Sequence, residues 1–375
     1  MDGQTQNTEQ ARFYFFLGTV AEVIKMFPIM KNLKDNGVPY RLVSSGQNSI
    51  YNNELLVVNQ LGNPDLTVSS GPKKQTFVSL FIWFVITLFK GVISFQKKFG
   101  SHTLEERKKV VVYVHGDTLS TLVGTIVAKL NNLKVAHIEA GLRSFDYLNP
   151  FPEEITRVLV SKMADVSYCP NDWAMANLKK SGGIKINTQN NTSIESLDFA
   201  LAQKGDVELL KKLGSKKYYI FLVHRNEHLV NKKLMTNLVD IVQEYSNLLN
   251  CVFLLHKPTE LVLKNYDLYD KLQTNPNINI VGRMPYVDFM KTLYSSEFII
   301  TDGGSTQEEA YFLGKPCLVV RKCTERIEGL GENVVLSKHD PAIVKEFIGN
   351  YQHYKRERVE YEKSPSRIIS ESLLS

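Results

Sequence analysis

Residues 109–138, KVVVYVHGDTLSTLVGTIVAKLNNLKVAHI, decide the fold. A continuous apolar run ends in His115-Gly116-Asp117-Thr118, a longer stretch with helical spacing follows, and a second apolar run starts at Lys134. Strand, helix, strand in that order is the unit of a parallel sheet with crossover helices. The same alternation appears upstream at residues 12–18 and 40–45, and downstream at 218–223, 251–255, 278–281, 298–301 and 316–320. The strands therefore fall into two sets. Between the sets, residues 182–193, GGIKINTQNNTS, are rich in Gly, Asn and Ser and read as a turn-prone hinge.

The expectation is α/β, with two Rossmann-like domains facing a cleft. At 375 residues the chain exceeds what one core usually serves, and its 43% hydrophobic content is ample for two. Residues 1–11 read as a disordered N-terminus, 12–187 as the first domain, 188–350 as the second, and 351–375 as a charged helix or tail that crosses back to the first. Doubly wound sheets take ligands beyond the carboxyl ends of their strands, so two such domains enclose a substrate between them.

Lys plus Arg number 45 against 39 Asp plus Glu, a net charge of +6. That mild excess suits phosphate-bearing ligands or an anionic lipid surface and does not point to nucleic acid. Cys169, Cys251, Cys317 and Cys323 lack CxxC spacing and read as buried thiols of a reducing, cytoplasmic compartment. The opening MDGQTQNTEQ is polar and acidic where a secretory signal is basic and then apolar. Residues 77–89, FVSLFIWFVITLF, continued by 91–95 after Lys90, depart from ordinary cytosolic composition. An apolar run of that length falls short of the roughly 20 residues of a spanning helix. Lys73, Lys74, Lys97 and Lys98 bracket it, as in a helix lying on the inner face of an anionic membrane. A buried helix or a subunit contact is the other reading.

Residues 298–309, FIITDGGSTQEE, run an apolar strand into Asp302 and a Gly-Gly turn that opens a helix. Backbone N–H groups at such a start hold phosphate, Gly303 and Gly304 let the backbone come close, and Ser305 and Thr306 offer hydroxyls. Glu308 or Glu309 is placed to take ribose hydroxyls; the alternative is a plain strand-to-helix turn with an acidic first turn. In the first half, Asp117 and Glu139 end successive strands, and Glu153 follows in the loop PFPEEITR. Crowded carboxyls split their pKa values, so that one serves as base while another stays protonated. Each acid taken alone reads rather as an N-cap or a salt bridge to Arg143 or Arg157; their joint placement at strand ends weakens that reading. His224, Arg225 and Glu227 end a strand of the second set, where a His and an Arg can bind a pyrophosphate or a sugar. No HExxH, EF-hand or CxxC-type pattern is present, so neither metal nor cofactor is expected.

Taken together, GTVAEVIKMFP (18–28), HGDT (115–118), HIEAGLRS (137–144), PEEITR (152–157), HRNE (224–227), TDGGSTQEEA (301–310) and LGKPCLVVR with TERIEG (313–329) resemble the non-hydrolysing UDP-N-acetylglucosamine 2-epimerases. The resemblance covers residues 12–335 and implies the GT-B architecture. It also implies a reaction in which the C2 proton is removed, UDP leaves C1 to give a glycal, and both return with the proton on the other face. On that likeness Asp117, Glu139 and Glu153 are the acid–base set, and His224 is an active-site histidine. Lys25, Arg143, Arg157, Arg225, Gly303, Gly304, Ser305, Glu309 and Arg326 hold substrate or nucleotide. A homodimer is expected, with a UDP-sugar as its ligand.

Several positions depart from the family pattern. GTRPEAIK reads GTVAEVIK here, which puts Val20 where an arginine approaches the phosphates. DSGG reads DGGS, moving the hydroxyl by two positions, and the loop Gly46-Gln47-Asn48-Ser49 replaces one that builds an allosteric site in some members. Thr156 stands for an asparagine, and QNNT (189–192) for TGNT. Three readings follow: a 2-epimerase serving surface polysaccharide synthesis, a membrane-associated GT-B glycosyltransferase with a lipid-linked acceptor, and a silent sugar-nucleotide sensor. Retention of all three acids favours the first.

Overall fold

The computed structural model describes residues 12–72, 76–147 and 150–374. The expected disordered segment 1–11 and the lysines at 73 and 74 lie outside the described residues. The chain divides into two compact units, Met1–Ser196 with Tyr361–Ser375, and Leu197–Glu360.

In the first unit the strands are β1 (Phe13–Leu17), β2 (Tyr40–Ser44), β3 (Leu66–Thr67), β4 (Val111–His115), β5 (Lys134–Ile138), β6 (Val166–Cys169) and β7 (Ile184–Asn187). They lie in the order β3-β2-β1-β4-β5-β6-β7, and every neighbouring pair is parallel. The direction of winding reverses between β1 and β4, which opens a crevice at their carboxyl ends. All five residues of β1 and of β4 are buried. A sheet covered by helices on both faces has no solvent side, so its strands read as unbroken apolar runs.

The helices that matter for the site are α1 (Val20–Asp35), α2 (Phe77–Phe99), α3 (Leu119–Leu130) and α4 (Glu153–Met163). Tyr14, Phe16, Val112 and Val114 pack with Phe95 of α2 and with Val123 and Val127 of α3. Burying each such side chain stabilises by about 1.5–3 kcal/mol. Thr19 caps α1 in a reciprocal capping box with Glu22. The carboxylate of Glu22 also accepts from the Thr118 hydroxyl at 2.5 Å, tying the end of β1 to the end of β4.

The second unit carries β8 (Tyr218–Leu222), β9 (Asn250–Leu254), β10 (Ile278–Val281), β11 (Ile299–Thr301), β12 (Cys317–Val319) and β13 (Val334–Leu336), with α5 (Gly304–Phe312) after β11. Its order is β10-β9-β8-β11-β12-β13, again all parallel, reversing between β8 and β11. The last helix, α6 (Pro365–Leu374), belongs to the first unit. It packs against α1, and the Tyr168 hydroxyl lies 2.7 Å from Ser372 Oγ.

Three expectations need correction. Residues 182–193 are not simply a hinge: they contain β7, whose Ile184 and Ile186 pair in register with Val166 and Tyr168 of β6. The apolar segment 77–95 is one uninterrupted helix of 23 residues that runs to Phe99. Lys90 does not break it, because helical phase puts Lys90 on the exposed side and Gly91 on the buried one. Of the four cysteines, Cys169, Cys251 and Cys317 are buried but Cys323 is only partly so.

Candidate active site

In the first unit the acids meet at the ends of two adjacent strands. β4 and β5 pair with His115 opposite Ile138, so the residues that follow them emerge side by side. Asp117 follows β4 by two residues and forms an ion pair with Arg157 of α4. Arg157 also reaches Glu154 at 3.2 Å, and Glu154 is paired with Arg143 and accepts from the Ser144 N–H at 3.0 Å. Burial alone would raise the Glu154 carboxyl, but the Ser144 N–H and the two guanidinium groups hold it below its usual value. The buried acid that holds both arginines is thus Glu154, one residue beyond the one singled out in the sequence. Glu153 itself is the half-buried first residue of α4, one turn ahead of Arg157.

Glu139 follows β5 with φ of +61°, in the left-handed region that a non-glycine residue rarely occupies. Strain of that kind costs about 1–3 kcal/mol and persists where surrounding contacts enforce it. Here they do: Lys25 of α1 forms an ion pair with Glu139, and the Asn191 side chain donates to the same carboxylate. The His115 ring lies 3.8 Å away. The backbone next to Asp117 is close as well, since an atom at the Cβ position of Gly116 would sit 3.7 Å from Glu139 Oε1. Beneath the pair lies His137, fully buried, whose Nε2–H donates to the Gly116 carbonyl at 2.8 Å. Burial pushes its imidazole from the ordinary 6.5 down to about 4, so it is neutral at physiological pH. Lys25, Asp117, Glu139 and Arg157 of the sequence reading are therefore brought into one charged cluster. Asn191, His115 and Glu154 join it; none is among the site residues of the sequence reading, although they sit in the QNNT, HGDT and PEEITR blocks.

In the second unit the site also lies at the reversal point. Thr301 of β11 pairs with Leu222 of β8, so Asp302 and His224 emerge together. Asp302 has 0% exposure and accepts from the backbone N–H of His224 (3.0 Å), from that of Arg225 (2.8 Å) and from His228 Nδ1 (3.0 Å). Burial alone would raise its carboxyl, but His228, His224 and the Arg225 N–H hold it low. Asp302 thereby fixes the turn that presents His224, whose side chain stays 36% exposed and stacks on His256 with centroids 5.0 Å apart. Desolvation lowers the His224 pKa below its ordinary value, opposed by Asp302 and assisted by Arg225.

α5 starts at Gly304 behind Gly303, which supplies no capping side chain. The N–H groups of its first turn thus have no capping side chain. Gly304 has a steric reason: a Cβ there would come 2.9 Å from Glu325 Oε1 and 3.2 Å from Arg326 Nε. Two of the predicted cations crowd this start, each held by a carboxylate: Arg326 by buried Glu308 at 2.6 Å, and Arg225 by Glu325 at 3.3 Å. Glu325 also takes Arg321 at 2.8 Å, and Arg321 reaches Glu227 at 3.3 Å. Ser305 is exposed, whereas Thr306 is buried, and an atom at the Cβ position of Gly303 would lie 3.4 Å from each of the His224 ring, the Thr301 hydroxyl and the Thr306 hydroxyl. Glu309 is buried one turn after Ser305.

Two doubly wound parallel-sheet units, each with its charged residues at the strand ends, define a protein of the GT-B type. The family model for UDP-N-acetylglucosamine 2-epimerase matches residues 87–367, and the chain belongs to that family. A UDP-N-acetylglucosamine 2-epimerase of Methanocaldococcus jannaschii is 30% identical over 346 residues, covering 88% of this chain and 89% of the relative. The crystal structure of the M. jannaschii UDP-GlcNAc 2-epimerase in complex with UDP-GlcNAc and UDP matches with a TM-score of 0.81 at 27% identity, over 97% of this chain and 99% of that one. A UDP-2,3-diacetamido-2,3-dideoxy-D-glucuronate 2-epimerase of Pseudomonas aeruginosa is 32% identical over 242 residues, 62% of this chain and 65% of the relative.

Proposed function

We propose that the chain epimerises C2 of a UDP-N-acetylhexosamine, of the UDP-GlcNAc to UDP-ManNAc type, in the cytoplasm and for surface polysaccharide synthesis. The observation that carries the reading is the Asp117 and Glu139 pair at adjacent strand ends, each beside a cation and Glu139 in a strained backbone conformation. A carboxylate of this set takes the C2 proton while the C1–O bond breaks and UDP departs with its electron pair. Re-addition of UDP, with proton delivery to the opposite face of C2, completes the inversion. Glu153 is the third acid of the set. The cations Lys25, Arg143 and Arg157 hold the carboxylates in place. In the second unit the α5 start, with Gly303, Gly304, Ser305, Arg225 and Arg326, holds the diphosphate; Glu309 takes the ribose, and His224 contacts the leaving group.

The glycosyltransferase reading is not carried forward, because a transferase has no need of paired acids at adjacent strand ends. The homodimer expected from the resemblance belongs to the same proposal and is checked by sedimentation equilibrium. The reaction is tested by incubating the protein with UDP-GlcNAc in deuterated water. Deuterium at C2 of the recovered sugar, with the manno epimer formed, is the expected result; recovery of undeuterated UDP-GlcNAc alone overturns the reading. The relative that acts on a diacetamido-glucuronate sets the next substrate to try.

A further inference from the structure

We propose that the exposed face of α2 docks the protein onto an anionic phospholipid bilayer, lying in the interface plane and not crossing it. The helix is long and apolar enough to span a membrane by length and composition. Its packing rules a span out. Trp83, Thr87, Gly91, Phe95 and Phe99 are buried, and they lie on one side. Phe95 and Phe99 meet the ring of Tyr14 on β1 at 6.2 and 5.4 Å, and the Thr87 hydroxyl bonds Ser69 at 2.6 Å. Gly91 lets α2 sit against α3, where a Cβ would come 2.8 Å from Val127 Cγ2. A bilayer span would strip every one of these contacts from the sheet, so only the opposite side is available to lipid.

That side is unusual for a surface helix. Apolar residues face out in pairs one turn apart, at 77/78, 81/82 and 85/86, and continue with Phe89 and Ile93. Phe77 is 66% exposed and Phe89 69%. The strip runs about 24 Å at 1.5 Å per residue. It broadens at its start, where Phe151, itself exposed, lies 6.0 Å from the ring of Phe77. Isolated exposed apolar residues need no explanation, but a continuous strip of them marks a contact.

Charge selects the occupant. Residues 77–100 contain no Asp or Glu, and Lys90, Lys97 and Lys98 on this helix are exposed. In the sequence two more lysines precede it. A twofold contact with a second copy would set this carboxylate-free, cationic strip against itself, bringing like charges together. Phospholipid phosphates neutralise the lysines while the phenyl and aliphatic groups enter the acyl boundary, the arrangement of an interfacial amphipathic helix.

The full-length protein is sedimented with vesicles of neutral phosphatidylcholine and with vesicles containing about one third phosphatidylglycerol. Partitioning at least about tenfold stronger onto the anionic vesicles is expected, weakened by 0.5 M salt. The double variant Phe81→Ser, Phe89→Ser should lose it, while its Trp fluorescence and deuterium-exchange activity stay unchanged. Equal partitioning to both vesicle types, or none to either, overturns the proposal. So does a vesicle-free dimer that the same variant converts to monomer, which would assign the strip to a second copy. The vesicle-partitioning, fluorescence and oligomeric-state readouts do not depend on what the strand-end acids catalyse.

Discussion

The two strand-end clusters are built from the same residue types and use them in opposite ways. In the first unit Asp117 and Glu139 are paired with the cations Arg157 and Lys25, and the fully buried acids, Glu22 and Glu154, stand behind them. In the second unit the acids Asp302, Glu308 and Glu325 are buried, Arg326 is buried with Glu308, and the groups that keep some exposure are the Arg225 guanidinium at 23% and the His224 imidazole at 36%. In the proposed reaction the first cluster supplies carboxylates that exchange a proton, and the second supplies positive charge to the diphosphate. A carboxylate saturated by backbone N–H donors in a dry setting is architecture, whereas one paired to side-chain donors can trade a partner for a substrate.

The largest expected effect falls on the architectural side. Asp302→Ala leaves two backbone N–H groups and His228 Nδ1 buried without their acceptor. Removing one partner of such a set costs about 3–5 kcal/mol. Both tryptophans, Trp83 and Trp173, lie in the first unit, so tryptophan fluorescence reports that unit alone. The variant should show a far-UV circular dichroism transition at clearly lower urea than its fluorescence transition. If the two transitions of the variant stay where the wild type has them, Asp302 is not the support described.

On the other side, Asp117→Asn and Glu139→Gln should lower C2 deuterium incorporation by more than about a hundredfold, the loss of an acid–base group. Affinity for UDP, measured by calorimetry, should change by no more than about twofold. A parallel loss of UDP binding would make these acids structural and erase the contrast with Asp302.

Much of this was legible in the sequence, and the failures have definite causes. Strands buried on both faces announce themselves as apolar runs, and their ends name Asp117, Glu139 and His224 directly. Short edge strands do not: β3 has two residues and β13 three, too few for any pattern to stand out. The sequence also cannot say which of two adjacent carboxylates turns inward, which is why Glu154 went unnoticed beside Glu153 and why Glu308 stood level with Glu309. Buried Glu308 is tied to Arg326 and buried Glu154 to Arg143, partners 18 and 11 residues away that only folding brings near, besides Arg157 one turn along the same helix. The length of α2 was misjudged because Lys90-Gly91 looks like an interruption when read linearly and is none when read around a helix.

The smallest expected effect concerns the floor of the first cluster. His137 donates from Nε2 to the Gly116 carbonyl, and its Nδ1 has no partner among the described residues. A second proton there would be buried without an acceptor, which is the physical content of a pKa lowered from 6.5 to about 4. The unfolded chain therefore binds more protons than the folded one below about pH 6.5, and stability falls as pH drops through that window until the folded imidazole also titrates. Between pH 7 and 4.5 the shift contributes a loss of about 2 kcal/mol. Glu22, whose carboxyl is raised by burial, works in the opposite direction at the acid end. Comparison with His137→Gln isolates the imidazole, because a glutamine amide can keep the bond to Gly116 without titrating. Urea melts followed by tryptophan fluorescence at pH 7, 6, 5 and 4.5 should show the gap between wild type and variant shifting by that amount in the variant's favour. In the second unit His256, lowered to about 4 by burial and by its His224 neighbour, and His224 itself produce their own acid loss. That loss appears in the circular dichroism transition and leaves the fluorescence untouched, so a flat fluorescence gap would show that the floor of the acid cluster tolerates charge and that the dry support is confined to the second unit.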